Sequence, residues 1–319
     1  LFWFACRIKH CWGMLWNRFA QGGTCRLGVL RRKAVRPRLW TSSAQAVSYD
    51  TKHSTPLINV GLKDNGVALV TLNRPGARNA LSTELANQLC DVFAGIKDGS
   101  IRHENVNSVR AVVFTGAGTS FCAGADLKER QGMTDAQWEA QHKVFQKAGL
   151  MFQNLPCPTI VAANGHAFGG GFEFVCLADW SVANEDALFR FPEVRLGIFP
   201  GLGGTQTLPR LIGLQEARRL LLTGAVLPAK EAYRLGLFTS IQPGGEATVA
   251  AAMKDADTVA ENGPNAVRRA KRSIWEGYQT PDFKEAWDFS LDLYGECFRS
   301  EERVEGIKAY GEKRSPKFD

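Results

Sequence analysis

The sequence predicts an α/β domain followed by a helical C-terminal module, and three observations carry that expectation. Apolar strand-like runs alternate with helical stretches over residues 51–243. Glycine-rich corners join them, notably at residues 116–125 and 165–171. From about Gly244 the strand signals stop, and residues 244–319 read as four helical stretches.

Taken in order, residues 57–62 and 67–73 flank Lys63-Asp64-Asn65-Gly66, whose Asn-Gly centre suits a tight hairpin. Arg74-Pro75-Gly76 breaks the second strand. Ser82 is placed to cap a helix carrying Glu84, Leu85, Leu89 and Phe93 at helical spacing, running to about Lys97. Residues 109–115 are expected to be a buried strand, and residues 116–125 a glycine-rich loop. Helical periodicity returns over residues 134–153, with Trp138, Val144, Phe145 and Met151 available for a core face. Residues 159–163 are a second apolar strand, which leads through Gly169-Gly170-Gly171 into a helix over residues 172–177. Residues 180–183 and 188–191 read as two short strands. Gly263-Pro264 and Thr280-Pro281 mark helix starts in the C-terminal module. No internal repeat of fixed period is visible.

A chain of 319 residues can bury one enzyme-sized core with a small appendage. Hydrophobic residues make up 45% and charged residues 22%, as in ordinary globular domains, and no apolar run reaches the roughly 18 residues that span a bilayer. The net charge of +7 is unevenly placed. Arg7, Lys9, Arg18, Arg26, Arg31, Arg32, Lys33, Arg36 and Arg38 all precede Asp50, the first acid. Setting these nine aside leaves 30 basic against 32 acidic residues, so the body is nearly neutral and offers no basic binding face. The helix from Ser82 to Lys97 carries one lysine and no arginine, which argues against nucleic acid. Residues 1–50 are Arg-rich, contain Trp3, Trp12, Trp16 and Phe19, and run into Thr41, Ser42 and Ser43. That is the composition of a mitochondrial transit peptide, although a plain basic leader shares it. Arg7, Lys9 and His10 interrupt the apolar stretch that a secretory signal needs. The eight cysteines are scattered without a C-x-x-C pair, which gives neither a disulfide framework nor a metal site.

The triple glycine is the strongest local feature, because a helix opens directly after it with Glu173 in its first turn. Backbone without side chains lets a ligand approach, and a helix start offers unpaired N–H groups to an oxygen that becomes negative. The spacing is not that of a dinucleotide-binding loop. Alone, such a corner is more often plain packing. A second donor is available from the loop Phe121-Cys122-Ala123-Gly124-Ala125-Asp126-Leu127-Lys128. A second acid, Glu193, follows Phe191-Pro192 and precedes another glycine-rich turn over residues 196–205. By itself it would be read as a solvated surface acid.

These pieces in this order resemble the enoyl-CoA hydratase/isomerase (crotonase) family. The matching text is Arg74-Pro75, Ala77-Arg78-Asn79-Ala80-Leu81, the string from Phe121 to Arg130, Gly165 to Glu173, Phe191-Pro192-Glu193, Phe199 to Gln206, and Glu305 to Phe318. It covers about residues 57–318 and looks most similar to the branch of mitochondrial methylglutaconyl-CoA hydratases. The resemblance implies a spiral of strand–strand–helix units over residues 51–243 and a C-terminal module that contacts CoA and builds a homotrimer or hexamer. It implies that the Ala125 and Gly170 N–H groups bind the thioester oxygen. Glu173 then activates water as base and Glu193 delivers a proton as acid, with the two roles exchangeable. Arg78, Lys128 and Lys313 match positions that approach CoA, which is part of the substrate, so neither a separate cofactor nor a metal is implied. Arg190 departs from the usual small residue and is expected to bring bulk and charge beside the pocket. The expected activity is hydration of 2-enoyl-CoA in the mitochondrial matrix, in fatty-acid or branched-chain amino-acid breakdown. Alternatives are an isomerase, or an accessory subunit held in a larger mitochondrial complex through residues 1–40.

Overall fold

The computed structural model describes residues 49–318, so the transit-peptide expectation falls almost wholly outside the described residues. The chain opens with the hairpin that Asn65-Gly66 dictates: β1 (Ile58–Leu62) pairs antiparallel with β2 (Val67–Leu72). Ser82 caps α1 (Thr83–Asp98), its side chain accepting from the Leu85 amide. β3 (Ala111–Gly116) follows, then β4 (Ser120–Cys122), so the expected loop over residues 116–125 contains a short strand. α2 (Leu127–Arg130) and α3 (Asp135–Gln153) come next, α3 being opened by a capping box between Thr134 and Gln137. Of the expected core face of α3, Phe145 is buried, and Ala148 and Phe152 join it instead of Trp138.

The same alternation then repeats. β5 (Thr159–Ala163), β6 (His166–Phe168) and α4 (Gly170–Leu177) form one unit, and β7 (Trp180–Asn184) and β8 (Leu188–Arg190) begin another. α5 (Gly204–Ile212), α6 (Leu214–Thr223), β9 (Leu227–Pro228), α7 (Ala229–Arg234) and β10 (Ser240–Gln242) complete it. After the hairpin, the successive strand pairs β3–β4, β5–β6, β7–β8 and β9–β10 each give one strand to each of two sheets. The larger has the order β1-β2-β3-β5-β7-β10 and the smaller β4-β6-β8-β9. Apart from β1–β2 and β8–β9, all strand pairs are parallel. This is a spiral of strand–strand–helix units, as the resemblance implies.

β3 is buried on both faces, which explains why residues 111–114 read as a continuous apolar run. On one face a cluster centred on Phe93, Phe114, Phe121, Phe152 and Phe174 fills the spiral, with ring centroids 5.4–6.1 Å apart. On the other face, Val67, Ala111, Val113, Ile160, Ala162 and Val182 pack against Ala252, Met253, Ala256 and Ala260 of α8 (Gly245–Ala260). By its packing α8 therefore belongs to the sheet, although sequence reading groups it with the C-terminal helices.

α9 (Pro264–Gln279), α10 (Phe283–Phe298) and α11 (Glu301–Glu312) follow. α10 starts at Phe283 with Asp282 as its cap, two residues beyond the expected Thr280-Pro281 start. Phe283, Trp287, Leu291, Tyr294, Ile307 and Tyr310 leave an exposed apolar surface on α10 and α11. Among the described residues no helix is long and apolar enough to cross a membrane.

Candidate active site

The site is built where β4 and β6 end side by side. Asn79 holds the first loop from within the core: its amide nitrogen donates to the carbonyls of Ala117 (2.9 Å) and Ser120 (2.8 Å), and its oxygen accepts from Arg74 N (2.9 Å). Leu81 then pairs with the loop after β4, donating to Gly124 O at 2.8 Å and accepting from Asp126 N at 2.9 Å. Arg74 ties the same loop through an ion pair with Asp126 at 3.1 Å. The stretch Arg74 to Leu81 is thus a clasp that fixes Ala125. Among the described residues, neither Ala125 N nor Gly170 N donates to a protein acceptor. Both residues line one cavity of about 600 Å³.

One glycine of this corner is required by contact and another by its backbone conformation. A Cβ on Gly171 would lie 2.4 Å from Cys122 O, so only glycine lets α4 start against the end of β4. Gly169 has φ +50°, and a Cβ there would meet Glu193 Oε1 at 2.7 Å. The acid and the glycine turn therefore approach one another closely.

Glu173 projects from the first turn of α4 and is 2% exposed. Its Oε1 accepts from Leu202 N at 2.7 Å and Gly204 N at 2.8 Å. Burial nonetheless raises its pKa from 4.5 to about 7, against the lowering effect of those amides and with a smaller raising contribution from Glu193. Glu193 begins a short 3₁₀ turn after Pro192, and its buried Oε2 has no protein partner among the described residues. Burial raises its pKa too, while its own backbone N–H and the Arg130 guanidinium pull it back. Both acids line the cavity with Ala125 and Gly170.

The cations behave differently from expectation. Arg190 does not line the cavity: its side chain turns to Gly224 O at 2.6 Å, while its carbonyl accepts from Gly169 N at 2.9 Å. It supports the corner from behind, because its position on β8 points the guanidinium away from the site. Arg78, Lys128 and Lys313 are exposed and outside the cavity lining. Arg78 acts through its backbone, accepting from Ala123 N at 3.0 Å in a left-handed conformation. Lys128 adjoins Leu127, which does line the cavity, and Lys313 caps the C-terminus of α11. Sequence reading missed Arg130. Its guanidinium lies 4.1 Å from the Trp138 ring centroid, its Nε donates to Gln141 Oε1 at 2.8 Å, and it lines the cavity. Its place at the end of the string from Phe121 to Arg130 was the available signal. Among the described residues no cluster of His, Cys, Asp and Glu is arranged to hold a metal.

An amide pair beside two carboxyl groups suits a reaction in which a carbonyl oxygen gains charge while protons move nearby. Comparison with known proteins agrees. The pattern of the enoyl-CoA hydratase/isomerase family matches residues 62–319. The short-chain-enoyl-CoA hydratase of Clostridium acetobutylicum is 39% identical over 264 residues, covering 81% of this chain and 96% of that one. The mitochondrial enoyl-CoA hydratase domain-containing protein 2 of Homo sapiens is 36% identical over 261 residues, covering 80% and 86%. The solved enoyl-CoA hydratase from Bacillus anthracis superposes with a TM-score of 0.77 at 38% identity, covering 82% of this chain and 98% of that one. With matches of this extent in sequence and in structure, the chain belongs to the enoyl-CoA hydratase/isomerase family and has its crotonase fold.

Proposed function

We propose that this protein hydrates 2-enoyl-CoA thioesters. The observation that carries the reading is that Glu173 and Glu193 share one cavity with the free amides of Ala125 and Gly170. The thioester oxygen accepts from the two amides, which draws electron density away from Cβ. Water lies between the carboxyl groups, and Glu173 takes its proton as its oxygen bonds to Cβ. The displaced electron pair moves to the thioester oxygen, giving an enolate, and Glu193 then protonates Cα. Burial raises the pKa of both acids, that of Glu173 to about 7, which brings proton exchange at the pair within reach of neutral pH and leaves the two roles exchangeable. The two roles exchange in the reverse reaction.

Coenzyme A enters as part of the substrate, without a separate cofactor or metal. Arg78, Lys128 and Lys313 are the cations we assign to its phosphates. The exposed apolar surface on α10 and α11 is assigned to contacts within a homotrimer or hexamer, which sedimentation would register as a mass of three or six chains. The reading places the enzyme in the mitochondrial matrix, since its relatives include mitochondrial proteins and residues 1–50 have a transit-peptide composition.

The test is a hydration assay following loss of the conjugated enoyl thioester with crotonyl-CoA and longer and branched homologues. Glu193→Gln removes the proton donor while keeping shape, and is expected to lower kcat by roughly 10²-fold or more with folding intact. Turnover of Glu193→Gln within a few-fold of wild type would overturn the two-carboxylate assignment. Double-bond migration without hydration would replace the reading with an isomerase.

A further inference from the structure

Among the described residues, the charged side chains lining the active-site cavity are Glu173, Glu193 and Arg130, and His142 is the one other titratable group there. The proposed reaction uses both acids and leaves the cation without a task. Arg130 ends α2 and is held from several sides. Its Nε donates to Gln141 Oε1 at 2.8 Å, and Gln141, 2% exposed on α3, donates in turn from Nε2 to Thr83 Oγ1 at 2.9 Å at the start of α1. The guanidinium lies 4.1 Å from the Trp138 ring centroid and 5.4 Å from that of Phe145. Fixing so long a side chain at these points costs rotamer entropy, and the result is a cation with one orientation at the cavity wall.

The carboxyl group it serves is identified by elimination. Glu129, its neighbour in sequence, turns both carboxylate oxygens to Thr83 N, at 3.0 and 3.3 Å. Among the described residues Arg130 makes no ion pair. Glu173 on α4 has its Oε1 bound to the amides of Leu202 and Gly204. Glu193 shares the cavity, and its buried Oε2 lacks a protein partner among the described residues. Burial raises the Glu193 pKa, and its own backbone N–H and then the Arg130 guanidinium pull it back. The other charges around the Glu193 turn are engaged elsewhere or muted. Arg195, on the turn itself, has its Nε 3.4 Å from where Gly224 would carry a Cβ. Arg219 of α6 pairs with Glu216. His142 packs on Gly201, where a Cβ would meet its Cε1 at 2.4 Å, and burial, then the Arg130 charge, lower its pKa and favour the uncharged ring.

We propose that Arg130 is a positioning residue for proton transfer at Cα: held at the cavity wall, it stabilises the carboxylate that Glu193 becomes on giving up its proton. The proposal rests on the hydratase reading for the role of Glu193. A charge that favours the ionised form holds the pKa of that acid down, so removing it defers ionisation to higher pH.

The experiment isolates this half of the reaction. Butanoyl-CoA has no double bond to hydrate, yet its Cα–H bond can break, the proton passing to the Glu193 carboxylate and the electron pair to the thioester oxygen. A deuteron then returns from D2O. Exchange is followed from pH 4 to 9 in Glu173→Gln, which leaves Glu193 as the titrating acid, and in the same background with Arg130→Met or Arg130→Lys. Crotonyl-CoA hydration by wild type is measured alongside. Exchange is expected to rise with pH as Glu193 ionises. Arg130→Met moves that limb up by roughly one pH unit, which lowers the rate on the limb about tenfold, and Arg130→Lys, which restores the charge, brings it back toward the parent position. The position of the limb does not depend on how much of a variant is folded. A limb that stays in place in Arg130→Met while the plateau falls makes Arg130 a packing residue and overturns the proposal, as does a limb that moves equally in both variants. Exchange that survives Glu193→Gln, or no exchange at all, overturns it too. A fixed limb in a protein that hydrates crotonyl-CoA sinks the Arg130 proposal alone, and a shifted limb in one that does not hydrate sinks the hydratase reading alone.

Discussion

Replacing Glu173 with glutamine should stabilise the protein above pH 7 while disabling it. The carboxyl group has an ordinary pKa of 4.5 and a folded value of about 7, raised chiefly by burial. Below pH 4.5 it is protonated in both the folded and unfolded states and costs nothing. Between pH 4.5 and about 7 the unfolded chain releases the proton and the folded protein keeps it, so stability falls as pH rises, by about 1.4 kcal/mol per pH unit. Above about 7 both states are ionised and the cost levels off at about 3 kcal/mol. Glutamine is uncharged throughout, and its carbonyl oxygen can still accept from Leu202 N and Gly204 N. The shift to about 7 already includes what those two bonds contribute to the charged form, so the expected gain at pH 8 is about 3 kcal/mol. Urea denaturation of wild type and Glu173→Gln at fixed protein concentration from pH 4 to 9 measures the difference, with background titrations cancelling between the two. A difference that is flat with pH, or that favours wild type at pH 8, would refute the argument that Glu173 is a costly buried acid.

Three further outcomes are expected. If Glu173 acts as base, kcat/KM for hydration rises with pH through about 7 as it ionises, and the residual rate of Glu173→Gln loses that limb. Asn79→Ala leaves Arg74 N and the carbonyls of Ala117 and Ser120 without partners and puts a Cβ-bearing residue with no polar side chain at φ +55°. Its denaturation midpoint should fall by the equivalent of about 3–5 kcal/mol. The proposed matrix location predicts that mass spectrometry of the protein isolated from its native cells gives a mature N-terminus between about residues 35 and 55, near or beyond Arg38-Leu39-Trp40. An intact leader recovered within a large complex would favour an accessory subunit instead.

Legibility in the sequence followed the length scale of the signal. The hairpin and α1 declare themselves through a turn dipeptide and a capping serine, α3 through apolar residues at helical spacing, and β3 and β5 because burial on both faces makes them largely apolar. β4 and β6 do not, since three residues cannot display a period, and their glycine-rich surroundings read as loop. α8 reads as part of a helical module because its alanine-rich buried face matches any helix partner, and only the fold supplies the sheet beneath it. At the site, Glu173, Glu193, Ala125 and Gly170 were legible through motif order and share the cavity. Arg190 and Arg130 were not, because which way a cation turns depends on acceptors far away in sequence: Gly224 O takes one, and Gln141 with Trp138 holds the other.

The two acids are held by opposite means, and this bears on how the site divides its work. Glu173 has one oxygen locked by two amides, and its cost is desolvation, which any folded state of this corner must carry. Among the described residues, Glu193 sits on a 3₁₀ turn with a buried oxygen lacking a protein partner, compensated by its own backbone N–H and then by Arg130. An unsatisfied buried acceptor is worth about 1–3 kcal/mol, and a ligand that donates to it recovers that energy on binding. Water aligned between the two carboxyl groups is such a donor. The same glycine at position 169 that lets Glu193 approach the corner also shapes the start of α4, where Gly170 N is free. A side chain at position 169 would meet Glu193 Oε1 at 2.7 Å in a backbone conformation that L residues rarely adopt, so it would strain the turn before Gly170 and press on the acid at once.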